Sequence, residues 1–539
     1  MGKQLNNWSE RRGFVPLVAV VAGAISATGF EPLHLWALLL AGLAVLAALG
    51  FRQQRPGRAF LVGWLFGVGH FCVGNNWIAT AFTYQAAMPA WLGWIAVFLL
   101  SLYLAVYPGL AVLGAWALAR RSRILARSSP AAFALALAGC WAISEFLRGE
   151  MFTGFAWNPV GVALVGGFDR PGAVGWLAPW MGTYALSGLV LACAGAWWIA
   201  MRAAMMDRDR LKRALPLALI GLLLFVPWPA PAEEQGTLEF RLVQPDIRQE
   251  VLNEPQYYET NFLRSVELTG APAKEDETRL VLWPESGVPD YLENGYPQRY
   301  YRQATFAADP DIARDRIAAL MGPGAMLVTG SVDLVIGNEN RAIAAENVVT
   351  AIGPDGEIAA SYAKSHLVPY GEYLPMRSLL EPLGVTRLVP GSIDFRPGPG
   401  PRTLDLGRWG QAGIQLCYEI VFSGEVVDSK NRPDYIVNPS NDGWFGAWGP
   451  PQHLAQARLR AMEEGLPVMR STTTGISAVI DANGVVRDHI GTYRSGRIDG
   501  FVPPAHAPTA FARMGIWLSL AWALVLLALA MVALRRRRG

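Results

Sequence analysis

Three ionisable side chains in the middle of the chain follow or abut apolar runs, and their types suit nucleophilic thiol chemistry. Cys417 follows Gly413-Ile414-Gln415-Leu416. Glu285 closes Leu282-Trp283-Pro284-Glu285, and Lys364 stands in Tyr362-Ala363-Lys364-Ser365-His366-Leu367. A free thiol, with a pKa of about 8.5, is only a few per cent thiolate at neutral pH, so a nucleophilic cysteine needs a base or a nearby cation. A carboxylate supplies the first and an ammonium the second. Cys417 is the only cysteine between residues 230 and 512, so that segment offers it no disulfide partner. Cys72, Cys140 and Cys193 fall inside apolar stretches and read as small packing residues. The segment's histidines, His366, His453, His489 and His506, form no recognised Cys-His signature. Taken singly, Glu285 and Lys364 also read as surface charges, and Cys417 as an inert buried thiol.

The elements that must position these residues are strands. Apolar runs predict them at Leu238–Val243, Leu280–Trp283, Met326–Gly330, Gly413–Leu416 and Tyr435–Val437. Two hairpins are expected from their turns. One joins Asn347–Ile352 to Glu357–Tyr362 around Gly353-Pro354-Asp355-Gly356; the other joins Ser477–Ile480 to Val485–Ile490 around Asp481-Ala482-Asn483-Gly484. Helices are expected over 255–269, 297–320 and 451–464, the last with apolar positions at Leu454, Ala457, Leu459 and Met462. The mixture predicts an α/β layered sandwich over about 270 residues, enough for one large core. No internal repeat is visible. A residue at the C-terminal end of a buried strand projects into the site region of such a sheet.

The rest of the chain is of a different kind. Of 539 residues 52% are hydrophobic and 17% charged, and the mean hydropathy is +0.25, which excludes a disordered, collagenous or disulfide-stapled protein. A net charge of +3 is too small to suggest nucleic-acid binding. A helix needs about 20 apolar residues to cross a hydrocarbon core. Spans are expected roughly at 13–30, 33–51, 59–82, 89–119, 131–147, 173–200, 213–229 and 513–534. No cleavable signal peptide is expected, because one apolar stretch follows another. Alternate connections are basic: Lys3, Arg11 and Arg12; Arg52, Arg55 and Arg58; Arg120, Arg121, Arg123 and Arg127; Arg202, Arg208, Arg210, Lys212 and Arg213; and Arg535 to Arg538. The short loops of the opposite side hold Arg148 and Arg170. The positive-inside rule then makes both termini cytoplasmic and exports 230–512. A lone thiol in an oxidising compartment is a liability unless it is used. The expected domains are 1–230 with seven spans, 231–510, and 511–539 with the last span and a basic tail; Pro-rich 227–232 and 503–508 read as linkers. Loop 148–172 carries Phe152, Phe155, Trp157 and Phe168, either as an aromatic arm or as an interfacial belt.

Read together, these pieces resemble the nitrilase superfamily, whose catalytic set is Glu-Lys-Cys in that chain order. The matching motifs are Trp283-Pro284-Glu285, Tyr362-Ala363-Lys364-Ser365-His366-Leu367-Val368-Pro369-Tyr370-Gly371-Glu372 and Cys417-Tyr418-Glu419. With eight spans beside them, and with Asn438-Pro439-Ser440-Asn441-Asp442-Gly443-Trp444-Phe445-Gly446 and Arg470-Ser471-Thr472, the whole chain is similar to the apolipoprotein N-acyltransferase family. The resemblance implies a polytopic α-helical membrane domain carrying a nitrilase-like αββα sandwich. It implies transfer of a fatty acyl chain from a phospholipid donor, through a thioester on Cys417, to the α-amine of a diacylglyceryl apolipoprotein. Glu285 would be the general base. Lys364 and the backbone N–H after Cys417 would face the oxyanion. Asn347, Glu372, Tyr418 and Glu419 would support activity, with Glu372 and Glu419 holding Lys364 protonated or orienting the amine. Trp444 and Phe445 would touch acyl chain or pack in the core.

The resemblance further implies a monomer in the inner membrane of a Gram-negative cell, with the catalytic domain in the periplasm. It implies no cofactor and no nucleic-acid partner, and the sequence shows no metal-ligand spacing or phosphate loop. A site open toward the bilayer is expected, flanked by loops near 152–168, 370–390 and 444–449. Some members carry a Lys-Trp pair after the domain's first strand; this chain has Val251-Leu252-Asn253-Glu254 there, with Tyr257 and Tyr258 nearby as substitutes. The alternative enzyme is a membrane-tethered nitrilase-type amidase that uses water as acceptor. A transporter would place ionisable residues within the spans; Glu145 at a span end and His70, which reads as helix packing, are the only ones noted.

Overall fold

The structure is a computed structural model that describes residues 13–84, 89–120, 129–168, 172, 175–206, 208–223, 225–380, 382 and 393–535. Lys3, Arg11, Arg12, Arg121, Arg123, Arg127, Arg170, Arg536 to Arg538 and most of 381–392 lie outside the described residues. The chain divides into two units. One comprises Met1–Ala79, Trp91–Ala230 and Thr509–Gly539; the other comprises Thr80–Ala90 and Pro231–Pro508.

The first unit is helical. Among the described residues, five helices are long and apolar enough to cross a membrane: Pro56–Gly74, Leu92–Ala119, Pro130–Glu150, Thr183–Ala204 and Ile516–Arg535. Three further helices, Phe14–Ala27, Trp36–Arg52 and Arg208–Leu223, fall where spans were expected but have 14, 17 and 16 residues. At about 1.5 Å per residue they are shorter than a hydrocarbon core of about 30 Å. Pro227, Pro229 and Pro231 stand beyond the last of these and cannot extend it.

Other boundaries move for local reasons. The span expected over 59–82 stops at Gly74, where Asn75 leaves helical geometry at φ −111° and ψ 20°. The one expected over 173–200 begins only at Thr183, because Gly182 has φ +73°. The longest breaks at Ala105, one residue after Leu104, whose carbonyl the Pro108 ring would meet. Loop 148–168 is neither an arm nor a belt as a whole. Trp157 is fully buried against Trp77, with ring centroids 4.6 Å apart, whereas Phe152 is 84% exposed. His70 packs as expected, its Nδ1 lying 2.7 Å from Ser26 Oγ. Glu145 is buried inside its helix, accepting from Trp141 Nε1 at 2.8 Å and from Val160 N at 2.9 Å.

The second unit carries twelve strands: β1 Glu239–Gln244, β2 Arg279–Leu282, β3 Ala325–Ile336, β4 Ala342–Ile352, β5 Ile358–Ala363, β6 Thr403–Asp405, β7 Gln411–Ile414, β8 Tyr435–Ser440, β9 Val468–Thr472, β10 Ser477–Ile480, β11 Val486–Ile490 and β12 Gly496–Phe501. They form two six-stranded sheets, ordered β12-β1-β2-β3-β4-β5 and β11-β10-β9-β8-β7-β6. Each sheet holds three neighbouring parallel strands, an antiparallel strand on one side and an antiparallel hairpin on the other. The pairing pattern therefore repeats although no repeat shows in the residues. The two sheets meet through side chains: Ser471 Oγ donates to Val243 O at 2.8 Å, and Thr472 Oγ1 to Gln244 Oε1 at 2.8 Å.

Helices Tyr258–Thr269 and Pro310–Met321 cover the other face of the first sheet. Phe262, Ile317 and Met321 are buried with Val281, Trp283 and Leu327, each large side chain contributing about 1.5–3 kcal/mol by leaving water. Helix Gly449–Glu464 belongs with the second sheet, Arg458 Nε donating to Gly484 O at 2.8 Å. The helix expected over 297–320 is two, Gln298–Ala304 and Pro310–Met321. Ala307 and Ala308 have positive φ between them, and Asp309 caps the second through Asp311 N at 2.9 Å. The Asp309-Pro310 pair is a start signal.

Candidate active site

Glu285 lies three residues past β2. Strand-like pairing continues beyond the strand, with Trp283 N bonded to Val328 O at 3.0 Å and Gly330 N to Pro284 O at 3.1 Å. Trp283 anchors this segment, donating Nε1–H to Thr269 Oγ1 at 2.9 Å. A Cβ on Gly330 would stand 2.6 Å from Glu285 Cα, so only glycine lets the carboxylate's backbone approach. On β4, Asn347 Nδ2 donates to Glu285 Oε1 at 2.8 Å and to Glu372 Oε1 at 2.8 Å.

Lys364 follows β5 directly, its N–H bonded to Asn347 O at 2.9 Å. Its ammonium lies 3.0 Å from Glu372 and 3.9 Å from Glu285 Oε1. Val368 N donates to Glu372 Oε2 at 2.7 Å, which fixes that carboxylate in the loop after Lys364. Cys417 does not end its strand directly. Gln415 and Leu416 intervene after β7, and Cys417 opens a single turn, Cys417–Val421, with φ +53°. A non-glycine residue held there costs about 1–3 kcal/mol and marks a functional constraint. The thiol interacts with the Glu285 carboxyl. Glu285, Lys364 and Cys417 are 7%, 1% and 4% exposed.

The electrostatics follow from burial. Burial pushes the Cys417 thiol well above its ordinary value, Glu285 adds to this, and Lys364 opposes it. Burial likewise raises the Glu285 carboxyl, and Lys364 only partly offsets it. Burial alone would discharge Lys364, but Glu372 first and Glu285 second hold it above its ordinary value, fully cationic. Among the described residues Glu285 Oε2 is buried with no hydrogen-bond partner, which leaves it open to a thiol proton. The set therefore has an acceptor, a fixed cation and a sulfur in one place, the requirements of thiol-based acyl transfer.

Two family profiles match the chain. The apolipoprotein N-acyltransferase N-terminal domain covers residues 22–196, and the carbon-nitrogen hydrolase covers residues 242–494. The apolipoprotein N-acyltransferase of Rhodopseudomonas palustris is 33% identical over 98% of this chain and 96% of its own. That of Bradyrhizobium diazoefficiens is 35% identical over 98% and 96%. The chain belongs to the apolipoprotein N-acyltransferase family. The nitrilase-like fold of its second unit is the carbon-nitrogen hydrolase part of that family. Among solved structures, a Saccharomyces cerevisiae member of branch 10 of the nitrilase superfamily is 18% identical, covers 51% of this chain and 93% of its own, and has a TM-score of 0.34.

Within this family frame the supporting residues divide. Asn347 and Glu372 join Glu285 and Lys364 directly, as above. Glu419 does not reach Lys364, contrary to expectation. Its Oε1 accepts from Ser365 N and Oγ at 2.7 Å, Tyr362 Oη at 2.8 Å and His366 N at 3.1 Å, and its Oε2 from Leu416 N at 2.8 Å. Glu419 thus clamps the cysteine turn to the lysine loop. Tyr418 is buried edge-on to Phe422 at 5.1 Å, and Phe422 stacks on His366 at 4.1 Å. Phe445 is core packing, edge-on to His453 at 5.7 Å, while half-buried Trp444 meets Tyr84 at 5.8 Å. Tyr257, offered above as an aromatic substitute, is exposed.

Three residues beside the sulfur had no role in the sequence reading. His453 Nε2 lies 3.1 Å from Cys417 O, and its Nδ1 is 2.9 Å from both Asp442 Oδ1 and Arg470 Nη2. Asp442 and Arg470 stood inside quoted motifs, but His453 did not. The available signal was the helix itself: Gly449–Glu464 is buried almost throughout and still carries Gln452, His453, Arg458 and Arg460. Among the described residues, no cluster of His, Cys, Asp and Glu could hold a metal ion.

Proposed function

We propose that this chain transfers a fatty acyl group from a membrane phospholipid, through a thioester on Cys417, to the α-amino group of the N-terminal S-diacylglyceryl-cysteine of a lipoprotein. The observation that carries the reading is the convergence of Glu285, Lys364 and Cys417 in one buried site, in a chain of this family that also bears membrane-length apolar helices.

In the first half-reaction Glu285 takes the Cys417 proton and the sulfur attacks the ester carbonyl of the phospholipid. Lys364 and the Tyr418 N–H stabilise the resulting oxyanion; one such donor is worth about 10²–10³-fold. The tetrahedral intermediate collapses, the C–O bond breaks, and Glu285 returns its proton to the departing lysophospholipid alkoxide. In the second half, Glu285 accepts a proton from the attacking amine, the C–S bond breaks, and the sulfur regains a proton. Positioned base catalysis of this kind contributes about 10²–10⁴-fold. The scheme is ping-pong. Asn347 and Glu372 orient Glu285 and Lys364.

The setting proposed for this chemistry is the inner membrane of a Gram-negative cell. Residues 1–230 and 511–539 form the membrane part, both termini are cytoplasmic, 231–510 is periplasmic, and the protein works as a monomer. The basic connections Arg52, Arg55 and Arg58, and Arg202, Arg208 and Arg210, support that orientation.

The test supplies purified protein with phospholipid and a diacylglyceryl lipopeptide. The expected products are an N-acylated lipopeptide and lysophospholipid in equal amounts. Free fatty acid with an unmodified lipopeptide would instead establish water as the acceptor, the amidase-type reaction, and overturn the proposal.

A further inference from the structure

A rigid polar chain stands behind the nucleophile, in no direct contact with the substrate side of the sulfur. It begins at Asp442, which Arg470 Nη2 meets at 2.7 Å and 2.8 Å. Burial alone would raise this carboxyl, but Arg470 and then His453 hold it below its ordinary value, as an anion. Arg470 Nη1 also donates to Asn438 Oδ1 and, at 3.0 Å, to Ser440 Oγ. Burial first and the Arg470 guanidinium second hold His453 below its ordinary value, and Asp442 opposes them.

A carbonyl only accepts, so the hydrogen bond to Cys417 O requires Nε2–H. Nδ1 lies 2.9 Å from both Arg470 Nη2 and Asp442 Oδ1, and Arg470 Nη2 also donates to Asp442. The chain Asp442–Arg470–His453 thus ends on the carbonyl oxygen of the nucleophile's own residue. All three side chains are fully buried, with no freedom to reorient.

The peptide bond between Cys417 and Tyr418 is trans. In a trans peptide the C=O and the next N–H point in opposite directions within one plane. Cys417 sits at φ +53°, a conformation that does not hold itself. Rotation of this plane would present a carbonyl where the oxyanion needs a donor. The groups that grip Cys417 O oppose that rotation, and His453 is the near one at 3.1 Å, against 3.5 Å for Asn438 Nδ2.

We propose that His453 is a positioning residue: by holding the Cys417 carbonyl it aims the Tyr418 N–H at the oxyanion, with Asp442 and Arg470 holding its ring in place. This deepens the proposed function and rests on Cys417 as the acyl carrier.

The test separates oxyanion stabilisation from thiol reactivity. Alkylation by iodoacetamide displaces iodide and forms no oxyanion, whereas acylation by phospholipid forms one. His453→Asn keeps a polar atom near Nδ1 and loses the one at Nε2; His453→Gln keeps a donor near Nε2. The full-length protein in detergent is used for both reactions, read at the Cys417 peptide by mass. His453→Asn is expected to lower the acylation kcat about 10²–10³-fold with KM near wild type, while Cys417 alkylation stays within a few-fold. His453→Gln is expected to recover acylation to within about tenfold of wild type. Unchanged acylation in His453→Asn would overturn the inference. So would acylation and alkylation falling together, which denotes a merely structural role, or a failure of His453→Gln to recover. If alkylating Cys417 in the wild type leaves acyl transfer intact, the underlying assignment of Cys417 fails instead.

Discussion

Glu285 and Lys364 act on one sulfur with opposite sign. The buried anion makes the thiolate harder to form, and the buried cation makes it easier. This fixes the direction of two pH profiles. Removing the cation in Lys364→Met shifts Cys417 alkylation to higher pH, and removing the anion in Glu285→Gln shifts it to lower pH. Acyl transfer does not follow the same order. Glu285→Gln is expected to abolish thioester formation despite its easier ionisation, because no base remains. Lys364→Met is expected to lower kcat about 10²–10³-fold with little change in KM. Stopped assays of alkylation and acylation on the same preparations check both; a parallel fall in the two rates would contradict separate roles. At this scale the sequence was informative where a chemical group sits in a short motif beside an apolar run, as Glu285, Lys364 and Cys417 do. It was mute on which donors meet which oxygen, so Glu419 reads there as holding Lys364 protonated or orienting the amine, whereas it clamps two loops. It passed over His453, whose partners lie 11 and 17 residues away.

Elements were legible in proportion to how local their causes are. The Asp-Gly and Asn-Gly turns announced hairpins β4–β5 and β10–β11, and the apolar runs announced β1, β2, β7 and β8. Strand β9 and the edge strands β6 and β12 carried no comparable apolar run or turn signal, and β12 pairs with a strand far off in sequence, β1. The long arm of β3 beyond Gly330 was missed because polar residues interrupt its pattern. One of them, Asp333, faces Glu346 directly across the β3–β4 pair. Its Oδ1 is buried without a hydrogen-bond partner among the described residues, and burial, with Glu293 and Glu346, pushes the carboxyl up to about 7. A carboxyl raised on folding favours the fold at low pH, and that advantage is lost as pH rises through the folded value. Asp333→Asn should therefore raise the thermal midpoint in detergent more at pH 8 than at pH 5. An equal gain at both values would show that Asp333 is not strained by its charge.

For the whole molecule, attachment to the membrane answers an energetic problem. Drawing an acyl chain into water costs about 0.8 kcal/mol for each CH₂ exposed. An enzyme fixed in the same bilayer leaves the tails in lipid and lifts only the reacting groups. The apolar helices were legible because hydrophobic length is a one-dimensional property. Their ends were not, since Gly182, Asn75 and Pro108 act through backbone geometry. The proposed orientation predicts that a cysteine at exposed Lys274 is labelled by an impermeant maleimide in intact spheroplasts. One at exposed Gln54 should react only after permeabilisation. The opposite pattern would invert the topology. The most direct test concerns the sulfur itself. Protein incubated with a phospholipid carrying a labelled acyl chain, without acceptor, is digested and the Cys417 peptide weighed. The account predicts one labelled acyl group on Cys417, released by neutral hydroxylamine and absent from Cys417→Ala. Label that resists hydroxylamine, or that persists in Cys417→Ala, would contradict it.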